Sequence, residues 1–335
     1  MLLTYIVTTY NLTAAQIERC LRSLLVQGLP DREAYEVLVV DDASAVSPQP
    51  IVEAFADRMN VRFFTQPHAR QGAARNLAFR HAQGEYIQIV DGDDYLLPDS
   101  MRPILDTLQR HQLDMLIYRF CTVTEGEKAK VHASDTDDHP TILSGQEYMR
   151  RHTLFGSSCT MCFRRGLLQL DTDHPILFPE GICIEDEEFV TRLVWQTPRL
   201  ATSHRTAYAY VTRADSTTRS RSATQVEQRY ADTFTVLDHL LDYRASLPAD
   251  MPADGLDRKL HFLAVDILRH ALREPYWQER FETCAEALRT RQLAGQPFFP
   301  LPAARWSAQY ILFRLLATHR WGQHILHRYE QRTAL

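Results

Sequence analysis

Three carboxylates fall within four positions at Asp91-Gly92-Asp93-Asp94. Anions this close repel one another unless a cation joins them. Carboxylate oxygens suit hard divalent ions such as Mg2+ or Mn2+, which keep positions open for water and substrate phosphates. The same spacing also describes a solvated acidic turn, so the surrounding order of signals has to decide. A second acidic group, Glu185-Asp186-Glu187-Glu188, stands just before Phe189, Leu193 and Val194. A positioned carboxylate there could take a proton from a hydroxyl. Acids in the first turn of a helix also complement its dipole, which accounts for Glu187 and Glu188 without chemistry. A third stretch, Thr212 to Gln225, is rich in Ser, Thr and Arg. Loops that close over diphosphates use such donors, and a solvated basic loop has the same composition.

These residues need a scaffold that brings them together. Tyr86 to Val90 is a strand-forming run, apolar apart from Gln88, and the Asp-Gly turn ends it. The carboxylates therefore sit at the carboxyl end of a buried strand, the edge where open α/β sheets bind ligands. Upstream, strand patterns at 3–8, 36–40 and 61–64 alternate with helical ones. One helix is capped by Thr13 and carries Ile17, Leu21 and Leu24; a short one follows Pro50; another runs from Gly72 to Ala82. Such alternation with short connections predicts a Rossmann-like, mostly parallel sheet flanked by helices. Further elements are expected at 114–120 (strand), from Ser144 (a capping box with Glu147), at 158–163 (extended), at 185–197 (helix) and at 208–211 (strand). From Val226 the pattern is all-helical.

Composition narrows the classes. The chain has 335 residues, 45% of them hydrophobic, and a net charge of -5, which fits two domains or one large domain with an appendage and excludes a general polyanion or nucleic-acid binder. Six cysteines in a chain this long do not make a secreted disulfide framework. Met1-Leu2-Leu3 runs straight into a strand pattern and no apolar run is long enough to span a bilayer, so the expectation is a cytoplasmic protein. No GxGxxG follows the first strand and no GxxxxGK[ST] occurs, which argues against an ordinary dinucleotide site and a P-loop.

The motifs follow a specific order. They run Thr8-Thr9-Tyr10-Asn11, Val39-Val40-Asp41-Asp42-Ala43-Ser44, Gly72-Ala73-Ala74-Arg75-Asn76, Gly84-Glu85-Tyr86 and Asp91-Gly92-Asp93-Asp94. Then come Phe178-Pro179-Glu180-Gly181, Glu185-Asp186 with Phe189, and Tyr208 with Tyr210. This order resembles glycosyltransferase family 2, the inverting enzymes of the GT-A fold, over roughly residues 1–220, about two-thirds of the chain. The resemblance implies a nucleotide-sugar donor, most often a UDP-sugar, together with Mn2+ or Mg2+ and a saccharide or lipid-linked saccharide acceptor. It also implies a role in cell-surface polysaccharide or lipopolysaccharide synthesis. By the same resemblance Thr8 and Tyr10 cradle the nucleotide, although the family often has Pro where Thr8 stands. Asp42 reads the base edge, and Arg75 lies near the donor diphosphate. Asp93 binds the metal, with Asp91 at the ribose or a metal-bound water. Gly92 stands where Ser or Ala is common, a change expected to matter little. Asp186 is the base, with Glu185 on the acceptor side, and Arg213 and Ser216 belong to the donor-binding set.

The implied domains are a transferase domain over about 1–222 (donor side about 1–115, acceptor side about 116–222) and a helical extension over about 223–335. Two other readings compete. A nucleotidyltransferase also binds Mg2+ on a Rossmann-like sheet, but usually has a Gly-rich basic loop where this chain has Thr-Thr-Tyr-Asn. A non-catalytic sugar- or nucleotide-binding module would not need Asp93, Asp186 and Arg75 together. The tail from Leu301 has five Arg against the single Glu330, with Trp306, Tyr310, Phe313, Trp321 and Ile325. That is first the composition of a packed helix, since apolar stripes usually mark cores, and second that of one lying on the inner face of a membrane.

Overall fold

The computed structural model describes residues 1–29, 32–129, 140–212, 222–293, 313, 316–317 and 319–333. The chain divides into two compact units, Met1–Tyr148 with Leu154–Asp232, and Met149–Thr153 with Thr233–Leu335.

The first unit is built on eight strands: β1 (Leu3–Thr9), β2 (Tyr35–Asp41), β3 (Val61–Thr65), β4 (Tyr86–Asp91), β5 (Tyr95–Leu96), β6 (Met115–Thr124), β7 (Met161–Arg164) and β8 (Leu200–Thr212). They form one sheet in the order β3-β2-β1-β4-β7-β6-β8-β5. β1 and β2 are buried at every position, as expected of parallel strands covered on both faces. β1 pairs in parallel with β2 and β4, placing Thr9 opposite Asp41 and Thr8 opposite Asp91. The chain runs from β1 outward to β2 and β3, then returns to β4 on the other side of β1. That reversal is the switch point at which open α/β sheets leave a crevice.

The second half of the sheet is mixed. β7 runs antiparallel to both β4 and β6, and β5 antiparallel to β8, while β6 and β8 are parallel. The segment expected to be extended over 158–163 is a single tight turn at Ser158–Thr160 followed by β7. β8 begins at Leu200, eight residues before the apolar run that marks it in the sequence. Its Thr202 to Thr206 stretch is polar and part-exposed, so no periodic apolar signal announces it.

Helices α1 (Ala14–Leu24), α2 (Gln49–Glu53), α3 (Arg70–His81), α4 (Met101–Arg110), α5 (Gly145–Arg151) and α6 (Glu185–Gln196) accompany the strands. Thr13 caps α1 in a reciprocal capping box with Gln16. α3, the loop before α6, and α6 itself meet over an aromatic core of Phe79, Phe163, Phe178 and Phe189, with the Phe178 and Phe189 rings stacked at 3.7 Å. Asn76 of α3 donates to the Phe178 carbonyl and accepts from the Phe178 amide, both at 2.9 Å. Gly72 lies so close to this loop that a Cβ would stand 2.7 Å from the Pro179 carbonyl. The N-terminus of α6 is thus fixed against the first turns of α3.

The boundary at Asp232 falls within α7 (Ala223–Ser246). Beyond it the second unit contains α8 (Asp254–Ala271), α9 (Trp277–Thr290) and α10 (Arg320–Thr333). Leu260, Leu263, Leu268, Phe281 and Leu288 form its interior. Phe313 is buried, while Trp306 and Tyr310 lie outside the described residues. Among the described residues no helix is long and apolar enough to cross a membrane.

Candidate active site

The crevice at the β1/β4 switch point is organised around a buried cation. Arg75, on α3, has no exposed side-chain surface. One guanidinium nitrogen donates to Glu185 at 3.1 Å and Asp186 at 3.0 Å, and the other to Asp91 at 2.8 Å. Its Nε finds no partner. Phe178 closes one side, with the guanidinium carbon 5.0 Å from the ring centre. An unpaired buried charge costs several kcal/mol, so Arg75 and its carboxylates depend on one another. The carboxylates are not equally covered. Glu185 is enclosed, at 6% side-chain exposure, whereas Asp91 and Asp186 each keep 26%. Arg75 touches carboxylates rather than the crevice, so any pull it exerts on a bound anion acts through them.

Burial sets the proton affinities here. It pushes Glu185 up to about 7, against the lowering influence of Arg75. Asp186 is raised for the same reason and against the same opposition. A carboxylate with a raised proton affinity and a solvent-facing edge is suited to accept a proton near neutral pH.

The acidic turn sits beside it. Gln71 of α3 donates to Asp91 at 2.6 Å and to the Thr8 hydroxyl at 3.2 Å, joining the ends of β1 and β4. The Gly92 amide donates to the Thr8 carbonyl at 3.1 Å. A Cβ on Gly92 would stand 2.8 Å from that carbonyl and from Leu12, so the small residue is demanded by the close approach. Asp93 is half-buried, and its carbonyl accepts from Arg19. Asp94 points into the fold. It accepts from the Tyr208 hydroxyl and the Val211 amide, both at 2.7 Å, and burial together with Asp91 and Asp93 pushes it to about 8. Its oxygens are engaged in holding β8 to the turn.

The turn tests whether a divalent ion fits. Among the described residues no group of three or more His, Cys, Asp or Glu forms a complete metal cage. Asp91 and Asp93 offer hard oxygen donors, and their charges add to the rise that burial imposes on Asp94. Two carboxylates with the other positions left to water and phosphate is the usual manner of holding Mg2+ or Mn2+. The residues present fit such an ion.

On the other side of β1, Asp42 is buried and fully engaged. It accepts from Gln66 and the Ala69 amide at 2.8 Å each, and pairs with His68 at 2.9 Å. His68 in turn stacks on Tyr10, 4.6 Å between ring centres, and Tyr10 is 48% exposed. The structure thus brings together Thr8, Tyr10, Asp42, Arg75, Asp91, Gly92, Asp93, Glu185 and Asp186 along one sheet edge. Arg213 and Ser216 lie outside the described residues. Gln71 and His68 carry no motif signal, and their importance comes only from what they bridge; Asn76 stands in the Gly72–Asn76 motif, but its clamp on Phe178 is visible only in the structure. Tyr208 was visible as half of a Tyr-x-Tyr pair, but its link from the Asp91 amide to Asp94 was not.

Comparison with known proteins bears on the family and the fold. Residues 4–170 match the model of glycosyl transferase family 2. The chain belongs to glycosyltransferase family 2. A segment of 213 residues is 28% identical to the poly(ribitol-phosphate) beta-N-acetylglucosaminyltransferase TarS of Staphylococcus aureus (strain Mu50 / ATCC 700699), covering 63% of this chain and 35% of TarS. The chain thus spans about a third of the length of that curated relative. The crystal structure of S. aureus TarS 1-349 in complex with UDP-GlcNAc superposes with a TM-score of 0.67 at 20% identity, over 100% of this chain and 91% of that one. The mannosyltransferase PcManGT from Pyrobaculum calidifontis, solved in complex with GDP-Man and Mn2+, superposes with a TM-score of 0.52 at 19% identity, over 98% of this chain and 84% of that one. These likenesses establish the GT-A fold of the family.

Proposed function

We propose that this family 2 member is a metal-dependent inverting glycosyltransferase. It moves a sugar from a nucleotide-sugar, a UDP-sugar by preference, to an acceptor hydroxyl. The observation that carries the reading is the pair of part-exposed carboxylates, Asp91 and Asp186, held on one buried guanidinium at the switch point. In this reading Asp91 and Asp93 hold Mn2+ or Mg2+ with the donor diphosphate. The bound ion supplies Lewis-acid neutralisation of the leaving group. Tyr10, backed by His68, gives the base a flat surface, and Asp42 fixes His68 and the Ala69 amide behind it. Thr8 and Gly92 keep the chain close to the donor, and Arg213 and Ser216 belong to the donor-binding set.

Asp186 takes the proton of the acceptor hydroxyl. Arg75 orients that carboxylate and limits the rise that burial imposes, so it is ionised when the hydroxyl approaches. A single carboxylate facing the acceptor gives one in-line displacement with inversion, whereas retention needs a carboxylate nucleophile on the opposite side. Glu185, enclosed behind Arg75, shapes the acceptor side. We assign residues 1–222 to the transferase domain and 223–335 to a helical extension. The TarS relative is named for a poly(ribitol-phosphate) acceptor, and by that likeness the acceptor here is a cell-wall or cell-surface polymer, or its lipid-linked precursor, met on the cytoplasmic side.

The test is Asp186→Asn, which keeps shape and loses basicity. Affinity for UDP with Mn2+ should be unchanged, while donor turnover falls about 100-fold or more, the scale of a lost general base. In the wild-type protein the acid limb of kcat/KM should lie above the ordinary aspartate range of about 3.9, because the rate requires ionised Asp186 and burial raises it. Near wild-type turnover by Asp186→Asn overturns the assignment of the base.

A further inference from the structure

α10 presents two unlike faces. Gly322, Leu326 and Glu330 are buried. Glu330 is 1% exposed and accepts from Arg269 and Arg273 of the α8 end, each at 2.7 Å. His327 stacks on Trp277 at 4.9 Å and bonds the Leu272 carbonyl. These contacts hold the helix within its unit. On the outward side Trp321 is 62%, Ile325 50% and Tyr329 54% exposed. They recur every four residues and form one stripe. At about 100° per residue, Arg328 and Arg332 fall on the same side as Trp321 and Ile325, and both are exposed. The helix contains a single acid, Glu330, which is turned inward and neutralised. The outward face therefore offers apolar rings and cations without a carboxylate.

Single exposed apolar residues are ordinary, but three in register with arginines are the make-up of a helix that rests in a lipid headgroup layer. A second copy of this chain is a poorer occupant. A two-fold contact would gather Arg328 and Arg332 of both copies into one seam to which neither helix brings a free carboxylate, since Glu330 is already paired inward, and like charges repel. We propose that the outward face of α10 docks on an anionic lipid surface, with Trp321, Ile325 and Tyr329 entering the headgroup layer and Arg328 and Arg332 pairing with lipid phosphates. A net charge of -5 leaves the rest of the molecule repelled by such a surface, so the contact is local to this face. This inference does not depend on the reading of the active site.

Co-sedimentation of the full-length protein with vesicles tests it. Phosphatidylglycerol-containing vesicles should carry the protein down at low salt and release it at high salt, and vesicles of phosphatidylcholine alone should not carry it. Arg328→Gln with Arg332→Gln should weaken binding about 30-fold, from the contribution of two arginines near an anionic surface. Trp321→Ser with Ile325→Ser should weaken it as well. The two variants are read independently after a thermal melt of each, so misfolding of one leaves the other decisive. Absence of binding to anionic vesicles at low salt overturns the proposal. So does wild-type binding by a folded arginine variant. Loss of a dimer in the Trp321→Ser, Ile325→Ser variant, with vesicle binding unchanged, would assign the face to a second copy instead.

Discussion

Arg75→Met isolates what the buried cation does. Methionine keeps a long flexible side chain and removes the charge that joins Asp91, Glu185 and Asp186. Breaking a buried ion pair by deleting one partner costs about 3–5 kcal/mol. In a domain of roughly 200 residues each kcal/mol moves Tm by about 2–4 °C, so the first unit should melt about 6–20 °C lower near pH 8. The loss should depend on pH with a defined sign. Burial raises Glu185 and Asp186 in the folded state, and Arg75 opposes that rise. Without Arg75 both carboxyls rise further above their unfolded values. A carboxyl raised on folding destabilises the fold at pH above its folded pKa, and that cost disappears as pH falls below its unfolded value. The deficit of Arg75→Met should therefore be largest at alkaline pH and shrink by more than half toward about pH 5, where the carboxyls of the variant take up protons. Arg75→Lys should fall between, because an ammonium cannot fork across three carboxylates. Calorimetric scans of the three proteins across this range decide. A deficit that stays constant with pH would refute the charge argument, as would one below about 1 kcal/mol at alkaline pH.

Three other substitutions probe the rest of the edge. Asp93→Ala should abolish the Mn2+-dependent part of UDP affinity in calorimetry, and an unchanged Mn2+-dependent affinity would remove Asp93 from the metal. Tyr10→Ala should weaken UDP binding about 2–12-fold, the worth of one aromatic stacking contact, with little change in Tm because the ring is 48% exposed. Gly92→Ala should destabilise by about 1–3 kcal/mol in a chemical melt, since the added Cβ meets the Thr8 carbonyl and Leu12 at 2.8 Å. That outcome would reverse the expectation, from sequence, that Gly92 is interchangeable with Ser or Ala.

The donor half of the fold was legible because its central strands β1, β2 and β4 are buried on both faces and so appear as mostly apolar runs, broken only by residues such as Thr4, Glu36 and Gln88 and ended by residues that break a strand. The carboxyl edge followed from that register, and with it the convergence of Thr8, Asp42 and Asp91. The other half was harder to read for a physical reason. β8 starts with only two buried residues, Leu200 and Ala201, and then crosses the polar stretch Thr202–Thr206, where its pairing with β6 shifts register, so no apolar period marks its start. Arg75 shows the deeper limit. A charged residue in a helix is expected on the wet side, and only the resemblance singled this one out. What fixes it is a set of partners 16, 110 and 111 residues away, brought in by the Phe178–Phe189 stack and the Asn76 clamp. Gln71 and His68 work in the same way, by joining elements that the sequence keeps apart. The groups proposed to meet donor and acceptor were marked by local pattern, and the groups that aim them were set by long-range packing. Substitutions in the second set should therefore register first in stability and pH dependence, and in turnover only through the residues they position.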